Sequence, residues 1–219
     1  MIHEHKLLDL IARLNFTQAI YYTWTGKFPT AEAESLLNAC FIALIDHGPK
    51  TLSAQAARVS ASGGAETNAA VAAGLLAAGK HHGAMVLRDA TELLRRGIAE
   101  KQSAKEMVAD ALKNGERLPG FGHRVYETDP RAEALIAKAE KLGLADKHVV
   151  LARAIEAELA GQKGKKLCLN VDGAIAALLP ALGISAAHAP GLFLVARSVG
   201  LVMQVADEQG QKPARQRRA

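Results

Sequence analysis

Apolar residues recur at three- and four-residue intervals along nearly the whole chain, and alternating runs of β-branched residues are absent. That periodicity predicts an all-α protein with few or no strands. Helices are expected over residues 7–14 and 17–25, with Gly26 closing the second. A third opens at the cap Thr30 and runs through Leu36, Leu37, Cys40, Phe41 and Leu44 to His47, where Gly48-Pro49 ends it. Residues 51–62 form the next, Gly63-Gly64 interrupts, and residues 66–78 make an Ala-rich helix whose small side chains permit close packing. Helices over 83–96 and 103–114 follow, the latter opened by the capping box Ser103-x-x-Glu106 and closed by Gly115. Asp129-Pro130 places a cap before a proline at the first helical position and launches a helix to residue 142. Residues 146–159, 172–182 and 192–209 complete the set, with no internal repeat.

Composition adds little to this picture but removes alternatives. With 219 residues, 49% hydrophobic and 22% charged, the chain can bury a sizeable core without metal or disulfide, which excludes a disordered or fibrous protein. Cys40 and Cys168 sit in apolar stretches without ligand spacing and are expected as small buried hydrophobes, fitting a reducing, cytoplasmic setting. The opening MIHEHKLLDL lacks the basic region and apolar run of a secretory signal, so export is not expected. Residues 173–196 carry no acidic or basic side chain apart from neutral His188, which raises the question of a membrane span. Pro180, Gly183, Pro190 and Gly191 break that run into two shorter helices better read as core, so no membrane partner is expected. Four cations after Gly210 (Lys212, Arg215, Arg217 and Arg218) account for most of the formal charge of +5. Nothing aromatic or groove-reading accompanies them, and a solvated tail is expected rather than a nucleic-acid arm.

Three loops are unlike the rest: Asp46-His47-Gly48-Pro49, the run from Leu118 to Arg124, and Asn170-Val171-Asp172-Gly173. The His81-His82-Gly83 turn makes a fourth. Each puts a titratable side chain at a helix end or beside glycines, where free backbone amides meet a ligand. An enzyme that makes or breaks a carbon–carbon bond beside a thioester needs a carboxylate to move the α-proton and donors for the oxyanions. His82, His123 and Asp172 fit those needs, and Arg131 and Arg197 fit the binding of substrate carboxylates. Arg131 has Glu133 nearby as a possible surface partner, whereas Arg197 lies in the apolar LFLVARSVGLV, where a buried cation needs an anion. The HExxH and Cys/His spacings that zinc would need are missing, so no metal is expected.

The segments DHGPKTLSAQAARVSASGG, AAGKHHGA, LPGFGHRVYETDPRAEAL, LNVDGAIAALLPALGI and LFLVARSVGLVMQVADE resemble, in order and spacing, the citrate synthase superfamily. The resemblance covers residues 36–208. DHGP and NVDG pull it toward the citryl-CoA lyase branch, which includes the C-terminal module of ATP-citrate lyase. The resemblance implies a mostly helical homodimer, or a higher homo-oligomer, with a larger domain (1–82 plus 179–219) and a smaller mobile one (83–178). It implies cleavage of citryl-CoA to acetyl-CoA and oxaloacetate, with a coenzyme A thioester as substrate and no metal. A citrate or 2-methylcitrate synthase is the alternative, and a non-catalytic acyl-CoA-binding relative is a second.

Residue by residue, the resemblance implies that His47 binds the oxaloacetate portion and His82 hydrogen-bonds the enolate oxygen of the acetyl thioester. His123 serves the oxaloacetate carbonyl or the corresponding alkoxide, and Asp172 exchanges the α-proton. Arg131 and Arg197 hold the dicarboxylate, while the backbone of Leu118, Pro119, Gly120, Phe121 and Gly122 meets the coenzyme A adenine. The chain departs from the pattern at Ala84, Met85 and Glu127. The family also takes an arginine from the partner subunit's C-terminal region; Arg215 is the nearest candidate, without a motif to fix it.

Overall fold

The computed structural model describes residues 1–161 and 167–211. Among them are eleven α-helices: α1 (Leu7–Arg13), α2 (Phe16–Thr25), α3 (Ala31–Leu44), α4 (Leu52–Ser62), α5 (Thr67–Leu76), α6 (Ala84–Ala99), α7 (Ala104–Lys113), α8 (Pro130–Lys141), α9 (Lys147–Ala160), α10 (Val171–Leu178) and α11 (Ala189–Gln209). No strand forms among the described residues, and extended pairing is limited to the isolated bridges Ile2–His5 and Phe121–Leu169. The local start signals act as the sequence suggests. Ser103 and Glu106 close a reciprocal capping box, Thr30 and Thr51 accept from the amides three residues on, and Pro130 follows the cap Asp129.

Three boundaries differ from the sequence expectation. Helix α3 stops at Leu44, short of His47: Gly48 N turns to Asp46 Oδ2 at 2.8 Å, Pro49 has no N–H to offer, and Arg197 Nε takes the freed Leu44 O at 2.9 Å. Helix α10 stops at Leu178, since Pro180 has no N–H to continue the ladder; Gly183 N and Ile184 N turn back to Pro180 O and Leu179 O. Helix α11 starts at Ala189 rather than residue 192, with Pro190 in its first turn, where a missing donor costs nothing.

Helix α10 lies at the centre: Val171 and every residue from Gly173 to Leu178 are buried, against α3, α6, α8 and α9. The main apolar cluster runs through α3 and α6 to α11. A smaller one joins α4, α5 and α11 through Ala54, Ala57, Ala61, Ala70, Leu201 and Val205. Here the small side chains of α5 do permit close approach, with a Cβ on Gly74 falling only 2.8 Å from Ser53 O. The apolar run of residues 173–196 is broken between α10 and α11, as expected. Helix α11 has 21 residues, and an 18-residue stretch of it has mean hydropathy 1.5, long and apolar enough to cross a membrane, but half of that stretch is buried inside the protein. Cys40 and Cys168 are buried and free, and burial pushes the Cys40 thiol up to about 12. Lys212, Arg215, Arg217 and Arg218 lie outside the described residues.

Candidate active site

The loops around residues 118–124 and 170–173 are stitched together through their backbones. Gly122 N donates to Cys168 O (2.6 Å), Asn170 N to Gly120 O (3.0 Å) and Asn170 Nδ2 to Gly122 O (3.0 Å). Leu118, Pro119, Phe121 and Gly122 are thereby held half-buried beside buried Gly120. Asn170 Oδ1 accepts from Gly173 N at 3.0 Å, capping α10 and placing Asp172 in its first turn. Asp172 keeps part of its surface open, yet its Oδ1 is buried without a hydrogen-bond partner. Burial pushes its carboxyl up to about 6, against the pull of the Arg131 and Arg197 charges and with a smaller push from Asp129.

His123 presents one nitrogen to backbone and the other to His47. Its Nδ1 accepts from Val125 N (3.1 Å) and Tyr126 N (3.0 Å), so the neutral ring carries its proton on Nε2. That Nε2 lies 3.3 Å from His47 Nε2, and the Tyr126 ring stacks on His123 at 4.6 Å. Burial lowers the pKa of both histidines; neighbouring Arg131 lowers both further, while Asp129 pulls the other way. His123 is thus built as a hydrogen-bond donor through Nε2.

His82 sits in the turn before α6, its Nε2 2.9 Å from Ser53 Oγ and within 3.4 Å of the donating Ser53 amide. Its ring meets the Phe193 ring edge-on at 5.8 Å. Burial, then the charges of Arg197, Arg124 and His47, push His82 down to about 4, so it is neutral at working pH. The turn requires glycine at 83: φ is +72°, and a Cβ would collide with the Phe193 ring. His81 is exposed.

Arg197, on α11, is only 3% exposed. Its Nε donates to Leu44 O, its Nη1 reaches Ser53 Oγ at 3.4 Å, and the guanidinium lies 5.0 Å over the Phe193 ring. No carboxylate lies within ion-pairing distance of it among the described residues, so a buried cation stands ready for an anion. Arg131 is paired, though not with Glu133, which binds Arg153 through 2.7 and 2.6 Å bonds. Its partner is Asp129, which accepts from Nε at 3.0 Å and from Nη2 at 2.8 Å.

All six side chains singled out in the sequence therefore lie near one another, through the His47–His123 contact, the Ser53 bonds to His82 and Arg197 and the Arg131 and Arg197 charges acting on Asp172, together with two that sequence reasoning missed. Ser53 links His82 to Arg197; nothing in a serine two residues after a helix cap signals partners 29 and 144 residues away. Asp129 was legible only as a cap. Chemically, the site offers a carboxylate poised near neutrality, neutral imidazoles for oxyanions and two guanidiniums for substrate carboxylates.

Residues 2–217 match the family model described as citrate synthase, C-terminal domain. The citryl-CoA lyase of Hydrogenobacter thermophilus superposes with a TM-score of 0.89 at 40% identity, covering 98% of this chain and 84% of that one. An ATP citrate lyase from Methanothrix soehngenii, solved with citrate and coenzyme A, gives 0.84 at 25% identity, over 98% of this chain and 38% of that one. The citrate synthase of Haloferax volcanii is 32% identical over 201 residues, 89% of this chain and 52% of that protein. The chain thus spans about half the length of that curated relative.

Proposed function

Because the chain belongs to the citrate synthase family, we propose that it is a citryl-CoA lyase, cleaving citryl-CoA to acetyl-CoA and oxaloacetate by a retro-Claisen step. The observation that carries this reading is the buried, unpartnered Oδ1 of Asp172, whose carboxyl burial raises to about 6 against the charges of Arg131 and Arg197. Arg131 and Arg197 hold the substrate carboxylates. His123 Nε2 hydrogen-bonds the oxygen that becomes the oxaloacetate carbonyl, with His47 beside it. As the carbon–carbon bond breaks, the substrate hydroxyl releases its proton to solvent, neutral His82 steadies the enolate oxygen, and protonated Asp172 delivers its proton to the carbon and takes one back from solvent. The backbone of residues 118–122 receives the coenzyme A adenine. The substrate is a coenzyme A thioester, and no step is routed through a metal. The 84% length coverage of the Hydrogenobacter lyase supports this direction over synthesis.

The same reading takes a homodimer. Leu52 and Val59 of α4, Leu76 of α5, and Val199, Val202 and Met203 of α11 are large apolar side chains left exposed on three helices that pack together. Residues 83–178 form the smaller mobile unit in this reading, and the free cysteines support a cytoplasmic location. The test is direct: synthetic citryl-CoA is mixed with the protein and oxaloacetate and free citrate are followed. Oxaloacetate release is expected. Free citrate formed from acetyl-CoA and oxaloacetate would establish a synthase instead, and inert citryl-CoA a non-catalytic binder.

A further inference from the structure

Asp129 does more than a helix cap requires. It is 0% exposed, and its carboxylate carries four hydrogen bonds. Oδ1 accepts from Arg131 N and Arg131 Nε, both at 3.0 Å; Oδ2 accepts from Arg131 Nη2 at 2.8 Å and from Val171 N at 3.0 Å. The first of these bonds caps α8, and an asparagine would serve that purpose as well. The next two grip one edge of a guanidinium. The fourth crosses to α10 and fixes the amide immediately before Asp172.

We propose that Asp129 is a positioning residue for this reaction: it grips the Nε–Nη2 edge of Arg131, turns the remaining N–H edge toward a substrate carboxylate, and holds that cation off Asp172. The proposal rests on the activity proposed above. A guanidinium has five donors, and the grip uses two, leaving Nη1 and one Nη2 hydrogen as a second fork of the kind that binds a carboxylate bidentately. Without the grip, Arg131 is free to pair with the open carboxylate of Asp172, which would both withdraw a substrate anchor and tie up the proton carrier. The Val171 bond sets the two helices in register, so the anchor and the carboxylate move as one piece.

The test is a double-mutant cycle on oxaloacetate affinity, measured by calorimetry on Asp129→Asn, Arg131→Gln and the double variant. Asp129→Asn is expected to weaken oxaloacetate about tenfold or more in the wild-type background and less than about threefold beside Arg131→Gln, because its effect runs through Arg131. A second readout is the pH dependence of solvent-deuterium exchange into the acetyl-CoA methyl group. The charges facing Asp172 are Arg131 from α8, Arg197 from α11 and Asp129. Neutralising Asp129 removes the like charge and frees Arg131, so the acid limb of exchange is expected at lower pH. Asp129→Ser, which keeps a capping oxygen, serves in the same cycle if the Asn variant does not fold. Equal losses in both backgrounds, or a lowered melting temperature with affinity and pH profile unchanged, would overturn the proposal. A wild-type protein that binds oxaloacetate without cleaving citryl-CoA removes the lyase assignment and leaves the cycle to decide on Asp129. One that binds no oxaloacetate overturns both.

Discussion

Gly120 and Gly173 meet backbone to backbone: a Cβ built on Gly120 would lie 2.6 Å from Gly173 Cα, and one on Gly173 would collide with Gly120 O. This contact joins the loop that leads into His123 to the helix that carries Asp172. His123 and Asp172 are therefore tied through one junction, closed by the Asn170 and Gly122 hydrogen bonds.

Gly173→Ala is accordingly expected to destabilise the fold by about 1–3 kcal/mol, the usual cost of a methyl forced into a filled space. Turnover should fall as well, since the two loops must separate to admit it. Thermal denaturation and oxaloacetate release measure the two effects; an Ala variant with the wild-type melting temperature and rate would show that the junction yields freely.

Asp172→Asn should lower turnover by about a hundredfold or more, because an isosteric amide cannot carry the proton. The same change should stabilise the protein at pH 8. The folded carboxyl lies near 6 against an ordinary value of 3.8, so holding it ionised above that pH costs up to about 3 kcal/mol. The wild type should lose stability as pH rises from about 4 to about 6, and the gain of the Asn variant should shrink as pH falls through that window. Denaturant titrations at several pH values read this directly, and an Asn variant less stable than wild type at pH 8 would argue that Asp172 is paired after all.

Exchange of the acetyl-CoA methyl protons requires the ionised form of Asp172, so its rate should rise with pH up to about 6 and level off above. His82 is neutral down to about 4 and contributes no second step in that range. Deuterium incorporation followed by NMR gives the profile; a limb near the ordinary carboxylate value would place the base elsewhere.

Arg197→Leu should weaken oxaloacetate by about 2–5 kcal/mol, as expected when one member of a buried charge pair is removed. Ser53→Ala should cost less, about 1 kcal/mol, but should raise KM and lower kcat together, because Ser53 touches both Arg197 and His82. Calorimetry and steady-state kinetics separate the two, and an Arg197→Leu protein with unchanged oxaloacetate affinity would move the dicarboxylate pocket away from α11.

Replacing Val202 with Glu and Met203 with Lys puts charges on the exposed face of α11 without entering the core. If that face joins two copies of the chain, sedimentation should show the dimer shifting to monomer. An unchanged sedimentation coefficient would place the interface on another surface.

Much of this molecule is written locally. The helices, the Ser103–Glu106 box and the Asp129-Pro130 start depend on residues three or four positions apart, and the chain displays them without reference to anything distant. The six candidate side chains were legible for a related reason: each stands beside glycine, proline or a helix end, or, like Arg197, is a cation with no place in an apolar run.

What tertiary structure alone decided is which of these groups touch. Glu133 stands near Arg131 in sequence as one candidate surface partner, yet it turns to Arg153 on α9 and Asp129 takes the guanidinium. The carbonyl left free where α3 ends at Leu44 is taken by Arg197, 153 residues later. Ser53 becomes the link between His82 and Arg197 only when α4 and α11 are brought against the turn before α6. The raised pKa of Asp172 likewise comes from the packing that buries Oδ1 and withholds a donor from it. Periodicity and capping act over one turn of helix, whereas burial and charge pairing act through space, and so they exist only once distant segments have packed.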